Sequence, residues 1–277
     1  MRADQAAGPL VMAPQGGGEA PARRIPWTGG KILGPVLVFV VLVGGWEATV
    51  RLRGIPPLVL PAPTLVWESL VAHTWSGFLL VHLGVTLAEI LLGFLGGSAL
   101  GIGLGIGVAL SPRLHWMLHP YLIASQAMPK LALAPIFVMW FGFGILPKVL
   151  ITALIVFFPL FENTLTGLNE VEADAQELFA GLRASRWQTL RWLRLPNAVP
   201  YVAAGLRVAM VLSIVGAVVA EYVGANRGLG ALIISSQGMM DTPLMFAVFV
   251  VLVALGVLLY EAIGFVERRC LARRYRD

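Results

Sequence analysis

"EADAQELFAGLRASRWQTLRWLRLP", residues 172–196, is the stretch on which the reading of this chain turns. It is charged and helix-forming, yet it lies between two segments greasy enough to cross a bilayer, near 146 to 168 and near 199 to 220. Glu170, Glu172, Asp174 and Glu177 come early, and Arg183, Arg186, Arg191 and Arg194 come late. That order suits the dipole of one helix or of two short ones. Leu178, Phe179 and Leu182 fall within one turn and form an apolar patch that no lipid covers. Its destination is either the groove of a soluble partner or the flat surface of the membrane.

The surrounding composition supports a membrane setting. The chain has 277 residues, of which 58% are hydrophobic and 13% charged, with a mean hydropathy of +0.82. Those values describe an integral, all-helical membrane protein. A membrane helix needs about 20 apolar residues, and segments near 32 to 50, 83 to 110, 116 to 142, 146 to 168, 199 to 220 and 243 to 265 give about six spans. Pro120, Pro129 and Pro135 interrupt the third, so it is either one kinked helix or a broken element. Residues 1–30 hold no apolar run and end beside Arg23, Arg24 and Lys31, as a flexible cytoplasmic tail before an uncleaved first span would. The membrane domain then covers 31–268, and 269–277 is a basic cytoplasmic tail. Cys270 is the one cysteine, so no intrachain disulfide forms.

Lys and Arg are unevenly shared between the two faces. An inside N-terminus puts Arg2, Arg23, Arg24, Lys31, Arg113, Arg183, Arg186, Arg191, Arg194, Arg268, Arg269, Arg273, Arg274 and Arg276 in the cytoplasm. Arg51, Arg53, Lys148 and Arg227 go outside, and Lys130 and Arg207 stay within spans. This positive-inside bias accounts for the net charge of +5 without nucleic acid, and it places residues 172–196 and both termini in the cytoplasm.

Between the first two spans, Leu65, Val66, Leu70 and Val71 recur at helical spacing after a Pro-set turn, which predicts an interfacial helix with Trp67 and Trp75 at headgroup depth. In the second span, Gly93, Gly97, Gly101 and Gly105 repeat every fourth residue. Such a stripe lets two helices approach closely, as a sliding or dimer contact or as static packing within the chain. Ionisable groups at membrane depth are functional candidates by default. Lys130 follows a proline break and could attract a passing anion, or pair with Glu89 or Glu162. Ser213, Glu221 and Asn163 are further candidates for a translocation path. Arg207 and Glu221 share a helical face, but about 21 Å of axial rise separates them, so they cannot pair. "GANRGLG", residues 224–230, is a glycine-punctuated outer loop. His115 and His119 are four apart with no third ligand, so no metal site is expected.

The spacing from Glu177 to Arg183 and on to Leu193, Leu195 and Pro196 resembles the EAA loop of ABC importer permeases. Leu178 and Phe179 stand where that pattern has alanines, and Arg183 stands where it has glycine. "LPAPTLVWESL", "MPKLALAPIFVMWFGFG", "FFPLFENTLTGL", "LPNAVPYVAAGLRVA" and "AEYVGANRGLGALI" are similar to the nitrate, sulfonate and taurine subfamily, over roughly residues 60 to 235. The resemblance implies a type I ABC importer permease fold in a bacterial inner membrane. It also implies a cytoplasmic coupling loop over 170–196 in which Glu177, Leu178, Phe179, Leu182, Arg183, Ala184, Ser185, Leu195 and Pro196 meet an ATP-binding cassette subunit. Other implied partners are an extracytoplasmic binding protein and a second permease copy, with the pore at the dimer axis. The chain's single Gly-Lys pair, Gly30-Lys31, is followed by Ile32, so there is no phosphate loop, and ATP and Mg belong to the partner. A sulfonate, taurine or nitrate is the implied substrate, with a pyrimidine precursor or other flat heterocycle as the alternative. An intramembrane enzyme would need an acid-base constellation that the spans do not offer. A channel working without ATP would have no use for the cytoplasmic insert.

Overall fold

The computed structural model describes residues 33 to 274, and every element among them is helical. The expected N-terminal tail, 1–30, and residues 275–277 lie outside the described residues. The chain divides into two units, Met1–Gly45 and Trp46–Asp277. In the first, the described residues are the leading part of α1 (Leu33–Arg53), an apolar helix whose side chains from Leu33 to Leu42 are exposed.

The second unit continues through α2 (Pro63–Trp75), α3 (Phe78–Ala109), α4 (Pro112–Ala127), a 3₁₀ turn (Lys130–Leu133), α5 (Ala134–Phe141) and α6 (Ile145–Asn169). It then runs through α7 (Ala173–Gly181), α8 (Arg186–Thr189), a π-helical turn (Leu190–Arg194), α9 (Leu195–Gly224), α10 (Leu229–Gly238) and α11 (Thr242–Arg274). α2 is the expected helix with exposed Trp67 and Trp75. The Glu47 carboxylate accepts from the backbone N–H and the hydroxyl of Thr64, both at 3.1 Å, which satisfies donors that the first turn of α2 leaves open.

Among the described residues, five helices are long and apolar enough to cross a membrane: α1, α3, α6, the continuous run from α8 through α9, and α11. The expected third span over 116–142 is not one helix. Met128 is extended, at φ −70° and ψ 130°, because Pro129 disfavours the helical region for the residue before it. α4 therefore stops at Ala127, and the chain restarts as a 3₁₀ turn and the short α5.

α6 is the centre of the bundle, packed between α3 and α9. The glycine stripe makes this possible: a Cβ at Gly93 would strike Thr152, at Gly97 the Ala153 carbonyl and Val156, at Gly101 the Phe157 carbonyl, and at Gly105 Thr164. On the other side, Gly216, Gly205 and Gly167 of α9 and α6 allow equally close approach. The stripe is thus a contact within the chain, between α3 and α6. Lipid offers helices no hydrophobic reason to associate, so close van der Waals contact is what holds α3, α6 and α9 together. Arg207 pairs with Glu267 of α11, as its separation from Glu221 requires.

Candidate functional site

α7, the following turn and α8 form an elbow with a free tip and a fixed base. The tip is α7, which touches the other helices little. Leu178 and Leu182, four residues apart, are 61% and 69% exposed, and Glu177 is exposed beside them. Phe179 departs from the single patch expected. Phe179 is half-buried, as is Ala175 one turn before it, while Leu178 and Leu182 are exposed. α7 ends at a residue in the left-handed region, and that residue is Arg183, at φ 52°. This is the position at which the resembled pattern has glycine, so the backbone keeps the turn and the arginine side chain bears its strain. Ala184 is half-buried, and Ser185 starts α8 with a capping box: its hydroxyl accepts from Gln188 N–H at 3.2 Å, while Gln188 Oε1 accepts from Ser185 N–H at 2.8 Å.

The base is stapled to all three central helices. Leu195 and Pro196, half-buried, open α9, and Pro196 has no N–H to give the preceding turn, which widens to π-helical form. The Asn197 amide donates to the carbonyls of Gly167 at 3.0 Å and Glu170 at 2.7 Å, closing the end of α6. Tyr201 donates its hydroxyl proton to Glu170 at 3.0 Å. Arg194 reaches the Ala109 carbonyl at the end of α3, at 3.4 Å. Asn197 and Tyr201 were not singled out by sequence reasoning, and Arg194 only as one of the late basic residues of the insert. Their partners are 27 to 85 residues away, so no local pattern marks them. The base of the elbow is thus bonded to the ends of α3 and α6 and continuous with α9.

The candidate path residues separate in space. Lys130 begins the 3₁₀ turn after the Pro129 break, half-buried, with its ammonium 4.4 Å from the centre of the Phe158 ring. Among the described residues it forms no ion pair; Glu89, one of its expected partners, is taken by Lys148. Asn163 is half-buried and donates to the Pro159 carbonyl at 2.7 Å. Ser213 is fully buried and donates to the Met210 carbonyl at 2.7 Å. Glu221 is buried at the far end of the bundle from the elbow, where it accepts from Thr86 at 2.6 Å and from the Gly230 N–H. Lys148, expected in an outer loop, is instead buried in the first turn of α6 and bound to Glu89 at 2.7 Å. Fifty-nine residues separate the two, which is why only the fold reveals the pair.

Residues 97–272 match the family described as "Binding-protein-dependent transport system inner membrane component". The chain is 39% identical over 250 residues to the riboflavin transport system permease protein of Chloroflexus aurantiacus, covering 89% of this chain and 91% of that one. It is 38% identical to the formylaminopyrimidine transport permease protein of Halalkalibacterium halodurans, over 89% and 98% of the two chains. The taurine transport system permease protein of Escherichia coli K12 is 31% identical, over 90% and 93%. Among solved structures, a chain of an amino acid ABC transporter crystallised with histidines shares the fold at a TM-score of 0.60 and 15% identity, over 72% of this chain and 97% of that one.

Proposed function

This chain belongs to the binding-protein-dependent transport system inner membrane component family, and on that premise we propose that its elbow couples ATP hydrolysis in a partner subunit to movement of the membrane bundle. The protein is a multi-pass ABC importer permease with the type I fold. The observation that carries the coupling role is the pairing of a free apolar tip, Leu178 and Leu182, with a base bonded to α3, α6 and α9. Coupling requires the partner to bind one permease conformation more tightly than the other. Moving a two-state gate from mostly shut to mostly open takes about 5.5 kcal/mol of such difference. The excess of Lys and Arg around the elbow supports a cytoplasmic position for it by the positive-inside rule, and on this reading both termini belong to the same side.

The substrate is a small flat nitrogen heterocycle, delivered by an extracytoplasmic binding protein to a path between two permease copies. Two relations support this: the riboflavin and formylaminopyrimidine permeases are more similar to this chain than the taurine permease is. Lys130 over the Phe158 ring adds a half-buried cation beside an aromatic face, which suits a π-system carrying a negative or carbonyl edge. The charge of Lys130 also favours a second reading, a sulfonate such as taurine. Uptake into vesicles holding the complete transporter decides between them. Riboflavin or a formylaminopyrimidine entering in an ATP-dependent way supports the first reading, and taurine entering in their place overturns it. In either case Lys130→Ala lowers uptake without lowering recovery of the complex.

A further inference from the structure

The end of the bundle opposite the elbow holds a network of buried charge. α3 begins there, α6 begins there, α9 ends there, and α10 begins there. Glu89 and Glu221 are 0% and 1% exposed, Thr86 is 0% and Lys148 6%. Thr86 is the junction: its hydroxyl donates to Glu221 Oε1 at 2.6 Å and accepts from the Leu229 N–H at 2.7 Å. Glu221 Oε2 accepts from the Gly230 N–H, and His82 Nδ1 lies 2.9 Å from the Gly228 carbonyl. On the inner side Lys148 donates to Glu89 at 2.7 Å. The glycines of the loop are explained by this approach. Gly228 sits at φ 126°, and a Cβ on it or on Gly230 would run into the Glu221 carboxylate.

Three features set this network apart from ordinary packing. Buried ion pairs are expensive, and apolar residues of similar volume often hold helices together as well or better. The network is also incompletely satisfied: the neighbouring Thr152 Oγ1 is buried without a hydrogen-bond partner among the described residues. Finally, everything it holds converges on one short segment, Gly228–Gly230, whose preceding residues Asn226 and Arg227 are exposed.

We infer that the bonds from Thr86 and Glu221 to Leu229 and Gly230 are the latch of the gate at this end of the permease. The latch holds the loop before α10 down on α3 in the conformation described and releases it when the path opens to this side. The inference rests on the importer reading, because only a transporter that alternates its access needs the loop to lift. The Lys148–Glu89 pair anchors the latch to α6, the helix that the elbow grips at its other end.

The test uses the complete transporter in membranes, with Cys270 replaced by Ser and Leu229→Cys as reporter. Leu229 is 0% exposed with the latch closed, so a membrane-impermeant maleimide reaches it only when the loop lifts. Thr86→Val keeps the side-chain shape and removes the hydroxyl. The loss of a buried bond to a carboxylate raises labelling about 10- to 100-fold, and Thr86→Ser restores the slow rate. Labelling of Thr86→Val no faster than the parent overturns the latch, as does a Thr86→Ser rate as fast as that of Thr86→Val. If Thr86→Val is not recovered in the membrane, Glu221→Gln is read the same way. Parallel ATP hydrolysis separates the two readings. Parent transporter whose hydrolysis is not stimulated by its binding protein sinks the importer reading whatever the label reports. Stimulated parent with unchanged labelling sinks the latch alone.

Discussion

Replacing Leu178 and Leu182 together with Asp should separate folding from coupling. Full burial of a leucine side chain is worth about 1.5–3 kcal/mol. With 61% and 69% of the two residues exposed, about two thirds of that gain is still unused within this chain. A partner's groove that covers both collects about 1–2 kcal/mol from each, or about 2–4 kcal/mol together. Charging them removes this, a loss of about 30- to 800-fold in affinity for the ATP-binding subunit. The permease itself should not notice, since surface substitutions usually change stability by no more than about 0.5 kcal/mol. The assay is a binding titration of the ATP-binding subunit onto purified permease in nanodiscs, with thermal unfolding of the permease as control. An unchanged Kd with unchanged Tm would refute the reasoning, because the exposed leucines would then have no partner.

Further outcomes follow from the packing. Gly97→Val forces side-chain atoms into the Ala153 carbonyl and Val156, and overpacking of this kind costs about 1–3 kcal/mol; a Tm equal to the parent's would show that α3 and α6 are not so close. Arg183→Gly relieves a left-handed arginine at φ 52°. Of the 1–2 kcal/mol recovered, glycine's extra chain entropy takes back part, leaving a gain of about 0.5–1 kcal/mol; a lowered Tm would contradict the strain. Lys148→Met strands the Glu89 carboxylate in the bundle and destabilises it by about 3–5 kcal/mol. Adding Glu89→Gln recovers most of that loss, and a double variant no better than the single would disprove the pairing.

Much of the architecture was readable before any coordinates because membrane helices are announced by length and composition alone. The elbow was readable for the same reason: a charged segment between two greasy ones has nowhere to go but into water. Position 183 was marked by the family resemblance, whose pattern has glycine there, and its backbone is left-handed even though an arginine occupies it. What stayed hidden depends on contacts across the chain. Glu89 and Lys148 meet only because the glycine stripe brings α3 against α6. The prolines of the third span left two forms open, a kinked helix or a broken element, and the structure takes the broken one at Pro129.

The central claim is that an ATP-hydrolysing partner grips the inward-facing elbow. It is tested most directly by Glu177→Cys, in a chain whose Cys270 is replaced by Ser, treated with a membrane-impermeant maleimide in intact cells and in inverted vesicles. The account predicts labelling in inverted vesicles alone, and protection when the purified ATP-binding subunit is added. Labelling of Glu177→Cys in intact cells would put the elbow on the wrong side of the membrane and contradict it.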